Sequence, residues 1–262
     1  DHQKLAQVSK RPGFQGKHMQ ESFPHNAALW MSVVLYGSII LAVFWETMAP
    51  RRALSAKTWV RWLNNTCVWL LGIALQRWLL AAVLLSLSAY AEPQQFGLLH
   101  LFALPAGTEL GLGILLLDFL NTIKHRLFHE VPVLWRIHTL HHSDPDCDFS
   151  TSLRNHPVDN LVDSVLSSFI VIAVGPSPTA LLVYYLIILP HNTFRHANIY
   201  IPDSVDRMLR RFIVTPDYNR IHHSSIEAET NSNYGGVFPW WDWMMGTYTA
   251  VPRRAQRDFQ IG

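Results

Sequence analysis

LVDSVLSSFIVIAVGPSPTALLVYYLIILP, residues 161–190, is apolar over nearly its whole length and is broken only at Gly175-Pro176-Ser177-Pro178. Each half is about a dozen residues, too short to cross a hydrocarbon core of roughly 30 Å alone. The run reads as a helical hairpin that dips into a bilayer and returns, with a single kinked span as the alternative. The choice sets the parity of the chain. A hairpin keeps the polar segments before and after it on one side; a single crossing separates them.

Three further apolar stretches precede it. Residues 27–49 carry one charge, Glu46, and are stopped by Pro50, Arg51 and Arg52; at 1.5 Å per residue they are long enough to span. A basic linker with Trp59 and Trp62 leads to a second span at 66–90, where Arg77 should face protein or water rather than lipid. A weaker third span covers about 98–123 and is interrupted by Pro105, Glu109 and Asp118. Residues 1–26 form a polar N-terminal tail without a signal-peptide core. The reading is therefore an all-α integral-membrane domain over 27–262. It has three transmembrane helices plus the hairpin 161–190, and a helical cap made of 124–160 and 191–250.

Composition agrees. Of 262 residues, 49% are hydrophobic and 15% charged, against a usual charged share of about 25%. Mean hydropathy is +0.11. This excludes a disordered chain, a coiled coil and a highly charged nucleic-acid module. The two cysteines, Cys67 and Cys147, are too few for a disulfide framework. Lys and Arg placement orients the chain. Arg51, Arg52, Lys57 and Arg61 lie between the first two spans, none lies within 91–109, and nine more lie in the histidine-bearing segments. These all share one side, expected to be cytoplasmic, although the basic N-terminal tail then falls on the other.

Histidine is the anomaly: 14 in all, ten of them between 125 and 223. His125 and His129 are at i and i+4, and His138, His141 and His142 at i, i+3 and i+4, so each set shares most of one helix face. His156, His191, His196 and the His222-His223 pair follow. Neutral imidazole is a good ligand for iron and zinc, and eight or more such nitrogens suit two metals. A zinc protease would need Glu after the first histidine, where this chain has Arg126. Asp118, two turns before His125, and Asp242 are candidates to orient ligand rings from behind. Asp144, Asp146 and Asp148 read as turn formers around Pro145.

The ordered set of motifs resembles the sterol desaturase and fatty acid hydroxylase superfamily. It comprises Asp118, His125-Arg-Leu-Phe-His129, Leu134-Trp-Arg-Ile-His138-Thr-Leu-His141-His142-Ser, Arg154-Asn-His156-Pro and His196-Ala-Asn198. It continues through Thr215-Pro, Arg220-Ile-His222-His223-Ser, Asn233-Tyr-Gly, Trp241-Asp and Gly246-Thr-Tyr. Upstream, Trp45-Glu, Pro50-Arg-Arg and Trp62-Leu-Asn-Asn belong to it, so the likeness covers most of 45–248.

The resemblance implies a cytosolic helical cap holding two iron ions over a membrane base, with zinc as a substitute in purified protein. It implies hydroxylation of a lipid C–H bond with O2 and electrons from a separate reductase, ferredoxin or cytochrome-type donor. Its metal ligands map to His125, His129, His138, His141, His142, His196, His222 and His223, with His156 as ligand or orienting group. The last box usually reads His-x-x-His-His, and here its first position is Asn219. Asn219 is then expected to act through water or to leave one metal more weakly bound, with His156 or His191 able to replace the missing ligand. Desaturation at the same site, or a lipid-binding protein without turnover, are the alternatives. Phe149, Phe194, Tyr218 and Tyr234 are candidates for the upper wall of a substrate cleft.

Overall fold

The structure, a computed structural model, describes residues 27–91, 96–253 and 261, with side chains placed for 29–74, 96–253 apart from Pro178, and Ile261. The expected tail at 1–26 and the surroundings of Arg77 lie outside the described residues. The elements are α1 (Ala27–Met48), α2 (Thr58–Ala91), α3 (Ala106–Glu130), α4 (Pro132–His142), α5 (Pro157–Val174) and α6 (Pro178–His196). Four short helices complete the chain: α7 (Asp203–Leu209), α8 (Pro216–His222), α9 (Glu227–Thr230) and α10 (Trp240–Met245). Among the described residues there are no strands, only isolated bridges Pro50–Ile199 and Ser224–Ile261.

Local sequence sets most starts and stops. Proline occupies the first turn of α4, α5, α6 and α8, where its missing N–H costs nothing and its fixed φ suits the helix. Gly175 ends α5 in the left-handed region at φ 63°, and Ser177 caps α6 by accepting the Ala180 N–H at 3.1 Å.

α1, α3 and α5 are long and apolar enough to cross a membrane. Leu29, Trp30, Val33, Tyr36, Ile40, Leu41, Phe44 and Met48 of α1 are all exposed. That much apolar surface is stable facing lipid and not facing water.

The expected boundaries shift in four places. α2 begins at Thr58 instead of 66, so Trp59, Arg61 and Trp62 of the expected linker already lie on the second helix. Residues 98–101 form a 3-10 turn rather than the start of the third span. α3 starts after Pro105 and runs on to Glu130, so His125 and His129 ride on the spanning helix itself. The halves of the 161–190 run are not a dozen residues each: α5 has 18 and α6 has 19, about 27–28 Å at helical rise. α5 gains its first turn from Pro157–Asn160. α6 continues through Pro190 because residues beyond it pack on α1, Thr193 against Ser38 and Phe194 against the core around Ala42, outweighing the lost backbone hydrogen bond.

The two ends of the bundle are well marked. At one end the α5–α6 turn meets the approach to α3: a Cβ on Gly175 would lie 2.8 Å from His100 and 2.9 Å from the Phe96 carbonyl. Glu109, in the first turn of α3, accepts from both the backbone N–H and hydroxyl of Ser177, each at 2.8 Å. α5 and α6 therefore reach the level at which α3 begins. The C-termini of α1, α3 and α6 and the N-termini of α2 and α5 lie at the opposite end, where all ten clustered histidines gather. There Glu46 of α1 accepts the N–H groups of Phe149 at 2.7 Å and Asn198 at 2.8 Å. A small core of Ala42, Phe149, Ala197, Ile199 and Ile201 joins α1 to the cap.

Several cations counted as loop charges are paired inside the protein. Lys124 bonds Asp163 at 2.5 Å and Ser167 at 2.8 Å across the α3–α5 seam. Arg61 is buried among Asp144 and Asp148, Arg210 pairs with Asp206 and Arg220 with Asp217. Asp144, Asp146 and Asp148 are thus the carboxylate side of a buried network, beyond their expected role in a turn.

Candidate metal centre

The histidines converge from four helices. The side-chain nitrogens of His125, His129, His142 and His222 lie within 4.8 Å of one another. Those of His141, His196 and His223 form a second group by the same measure. Each of the spacings i, i+4 on α3 and i, i+3, i+4 on α4 does what helical geometry demands of it. His141 and His142 nonetheless part company, one to each group. Adjacent residues on a helix diverge by about 100°, and the same divergence separates His222 from His223.

The ring nitrogens turned away from the groups are held. His125 Nδ1 donates to the Tyr234 carbonyl at 2.9 Å, His222 Nδ1 to Ser232 at 2.7 Å, His196 Nδ1 to Asn192 at 2.7 Å and His141 Nδ1 to Arg154 at 3.2 Å. A carbonyl oxygen only accepts, so each Nδ1 carries the proton and each Nε2 keeps its lone pair. His138 is oriented by a carboxylate instead, Nδ1 to Asp159 at 2.8 Å. Its ring lies 5.1–5.3 Å from those of His125, His129, His141 and His142.

The inward nitrogens are buried and unpartnered at His129, His138, His142, His222 and His223. Leaving so many buried polar atoms without hydrogen bonds costs about 1–3 kcal/mol each. His141 and His196 bring their Nε2 atoms to 3.2 Å, a lone-pair contact that a shared cation relieves. Orphaned, converging, pre-oriented imidazoles are what a metal pair requires. Burial pushes His222 down to about 3 against the Ser232 carbonyl, and holds His141, His142 and His223 well below the ordinary imidazole value. These rings are neutral, the ligand form.

The remaining candidates stand elsewhere. His156 caps α5, its Nδ1 accepting the Val158 N–H at 3.1 Å, and is in neither group. His191 is buried on α6 beside Phe194; five residues from His196 is about 140° around the helix, so it faces away from the second group. Asn219 is buried one turn before the His222-His223 pair, and its Nδ2 has no partner.

Asp118 does not accept from His125, since seven residues is about 10 Å along the axis. It takes the N–H groups of Val237 at 2.9 Å and Phe238 at 3.1 Å and the Trp241 indole at 2.8 Å. Asp242 takes the N–H groups of Tyr234 at 2.9 Å and Gly235 at 2.7 Å and the Tyr218 hydroxyl at 2.6 Å. Both carboxylates thus clamp the 233–238 loop, and through the Tyr234 carbonyl they set the His125 ring. Asp159 and the carbonyls of Arg154, Ser232 and Tyr234 escaped sequence reasoning. Backbone acceptors carry no residue signature, and Asp159 is 21 positions from its histidine.

An apolar groove of about 550 Å³ lies between α1 and α6, lined by Leu41, Ala42, Trp45, Phe194, Ala197 and Ile199 among others. Of the aromatic wall candidates, Phe194 lines this groove and Tyr234 lies beside His125, His129 and His222. Phe149 packs on Trp62, and Tyr218 is bound to Asp242.

The chain is 26% identical to an ornithine lipid hydroxylase of Rhizobium tropici, over 89% of this chain and 71% of that one. It is 32% identical to an alkylglycerol monooxygenase of Caenorhabditis elegans over 51% of this chain, spanning a quarter of that protein (25%). It is 24% identical to methylsterol monooxygenase 2-2 of Arabidopsis thaliana over 62% of each. No solved structure matches. The family model for fatty acid hydroxylase matches residues 110–247, more than half of the chain and all of the segments that carry the two histidine groups. By that match the chain belongs to the fatty acid hydroxylase family.

Proposed function

We propose that this protein is a membrane-embedded di-iron monooxygenase that hydroxylates a C–H bond of a lipid, using O2 and electrons from a separate donor. The observation that carries the reading is the pair of buried imidazole groups at the end of apolar helices, with their outer nitrogens already hydrogen-bonded. The lipid hydroxylase and monooxygenase names of its relatives support the substrate class. An all-nitrogen ligand set accepts both iron and zinc; oxidation of a C–H bond favours iron.

His125, His129, His142 and His222 would hold one metal, and His141, His196 and His223 the other, with His138 between them. Such a pair supplies the exchange of electrons with dioxygen that no side chain here provides. The chain's own contribution is placement and exclusion of water. Asp118, Asp242 and Asp159 fix the loop and rings from behind, and the neutral histidines keep their lone pairs at ordinary pH. The α1–α6 groove supports an approach from the bilayer: Phe194 and Ala197, which line it, flank His196 in sequence. We place the histidine end on the cytoplasmic side, because Lys57, Arg136, Arg207 and Arg211 are exposed there and residues 96–109 at the other end hold no Lys or Arg.

The test combines elemental analysis with lipid mass spectrometry. Protein purified from iron-supplied cells should hold about two irons per chain. Membranes supplied with O2 and a reductant should yield a lipid that has gained one oxygen atom. Loss of two hydrogens instead would mark a desaturase. Two bound metals without O2 consumption would leave a lipid-binding protein.

A further inference from the structure

Helix α7 sits where the cap meets the end of α1. Residues 198–200 run antiparallel to 49–51, with Arg51 N–H to the Asn198 carbonyl at 3.0 Å and Tyr200 N–H to the Ala49 carbonyl at 2.8 Å. Arg51 then pairs with Asp203, the first residue of α7, at 3.0 Å. α1 ends at Met48, so α7 leaves the chain at the depth where that apolar helix stops. Trp45, Trp59 and Tyr200 are exposed around the same level, the residue types that sit at a membrane–water boundary.

The faces of α7 and of the turn 210–212 that continues it, with the Arg210 N–H on the Asp206 carbonyl at 2.9 Å and the Phe212 N–H on the Leu209 carbonyl at 2.8 Å, divide sharply. Asp206 and Arg210 are buried, i and i+4 on the inner side, and bonded to each other at 2.5 Å. Val205, Met208 and Phe212, at i, i+3 and i+7, are 39%, 54% and 59% exposed. Arg207 and Arg211, again i and i+4, are exposed on the strip beside them. A helix with one face locked into the cap, an apolar face open and a basic strip alongside is built to lie in an interface.

We infer that α7 is an interfacial helix. Val205, Met208 and Phe212 enter the headgroup–acyl boundary, while Arg207 and Arg211 hold the phosphates of anionic lipids. The surface thereby ties the cap, and the loop from α6 to α8, to the bilayer from which a lipid would be drawn. The inference rests on α1 spanning the membrane.

The experiment places single reporter cysteines in the full chain carrying Cys67→Ser; Cys147 is buried. Fluorescent labels go at Met208→Cys, Phe212→Cys, Ile40→Cys on the exposed face of α1 and Ala228→Cys on the exposed side of α9. The protein is reconstituted in phosphatidylcholine vesicles with and without phosphatidylglycerol. Quenching by brominated lipid and by a water-soluble quencher is compared. Ile40 should report lipid and Ala228 water, while Met208 and Phe212 should report a depth of about 5–10 Å into the boundary. Arg207→Glu with Arg211→Glu should reduce that lipid quenching only in the anionic vesicles. Labels at 208 and 212 that match Ala228 while Ile40 reports lipid overturn the inference. Labels at 208 and 212 shielded from both the brominated lipid and the water-soluble quencher would mean a second copy covers the face, which also overturns it. Failure of Ile40 to report lipid removes the spanning reading instead.

Discussion

Replacing Arg61 with Met should be the most damaging single change outside the histidines. Arg61 Nε and Nη2 donate to the two oxygens of Asp144 at 2.7 and 2.8 Å, and Nη1 donates to Asp148 at 2.6 Å. All three residues are buried, at 5%, 1% and 0% exposure. Burial alone would lower the Arg61 pKa; Asp144 and Asp148 more than reverse it and hold the guanidinium above its ordinary value. Arg61→Met leaves two carboxylates buried without their cation, which costs about 3–5 kcal/mol. Neutral donors remain, from Asn65 and Trp62 at 3.0 and 3.2 Å and the Ser150 N–H at 2.9 Å, so the lower end, about 3 kcal/mol, is expected. For a chain of this size that lowers the unfolding midpoint by roughly 6–12 °C. The loss should reach the metal centre as well, because the same loop ends in Arg154, whose carbonyl orients His141. Metal affinity should fall roughly 10-fold or more. The assay is thermal unfolding in detergent followed by tryptophan fluorescence, with a chelator competition on the same samples. Adding Asp144→Asn and Asp148→Asn to Arg61→Met should restore most of the midpoint, since the cost lies in unpaired charge. An Arg61→Met protein as stable as the parent, or a triple variant less stable than the single, would refute the reasoning.

Three further outcomes are expected. Asn219→His puts an imidazole four residues before His223 on α8, so metal titration should show tighter binding at the weaker of two steps; an unchanged isotherm makes Asn219 a bystander. Gly236→Ala would set a Cβ 2.5 Å from Asp118 Oδ1 and 3.0 Å from Asn121, displacing the clamp on the 233–238 loop; metal content should drop although His125 is untouched, and full retention would show that the clamp does not position that ring. Metal-stripped protein should lose stability on acidification. Unfolded histidine protonates near pH 6.5 but folded His222 only near 3, so the unfolded state binds more protons between these values. The stabilising contribution is complete above about pH 6.5 and falls by up to roughly 1.4 kcal/mol per pH unit for each such ring as pH drops. A midpoint that rises between about pH 7 and pH 5 would contradict neutral buried imidazoles.

Much of the site was written locally. The i, i+4 and i, i+3, i+4 spacings put histidines on shared faces because helical pitch is a property of the backbone, wherever the helix ends up. The break at Gly175 was equally legible, since the run Gly-Pro-Ser-Pro punctuates a helix whatever surrounds it. Length was not. α5 recruits Pro157–Asn160, and α6 runs past Pro190, because neighbouring helices hold those residues, and no local pattern records a neighbour. The triplet Asp144, Asp146 and Asp148 looked like a turn for the same reason: its partner Arg61 is more than 80 positions away.

The sequence by itself determined that the chain is helical, apolar enough to enter a bilayer, and supplied with imidazoles at metal-binding spacing. Only the tertiary structure decided how those imidazoles divide. His141 and His142 are adjacent in the chain but serve different groups, because the 100° step between neighbours on α4 points them at different partners on α3, α6 and α8. It also decided that His156 and His191 stand aside, and that Asp118 and Asp242 act on a loop instead of on a ring. Spacing along one helix is set by short-range geometry. Which faces of four helices meet is set by the burial of everything between them.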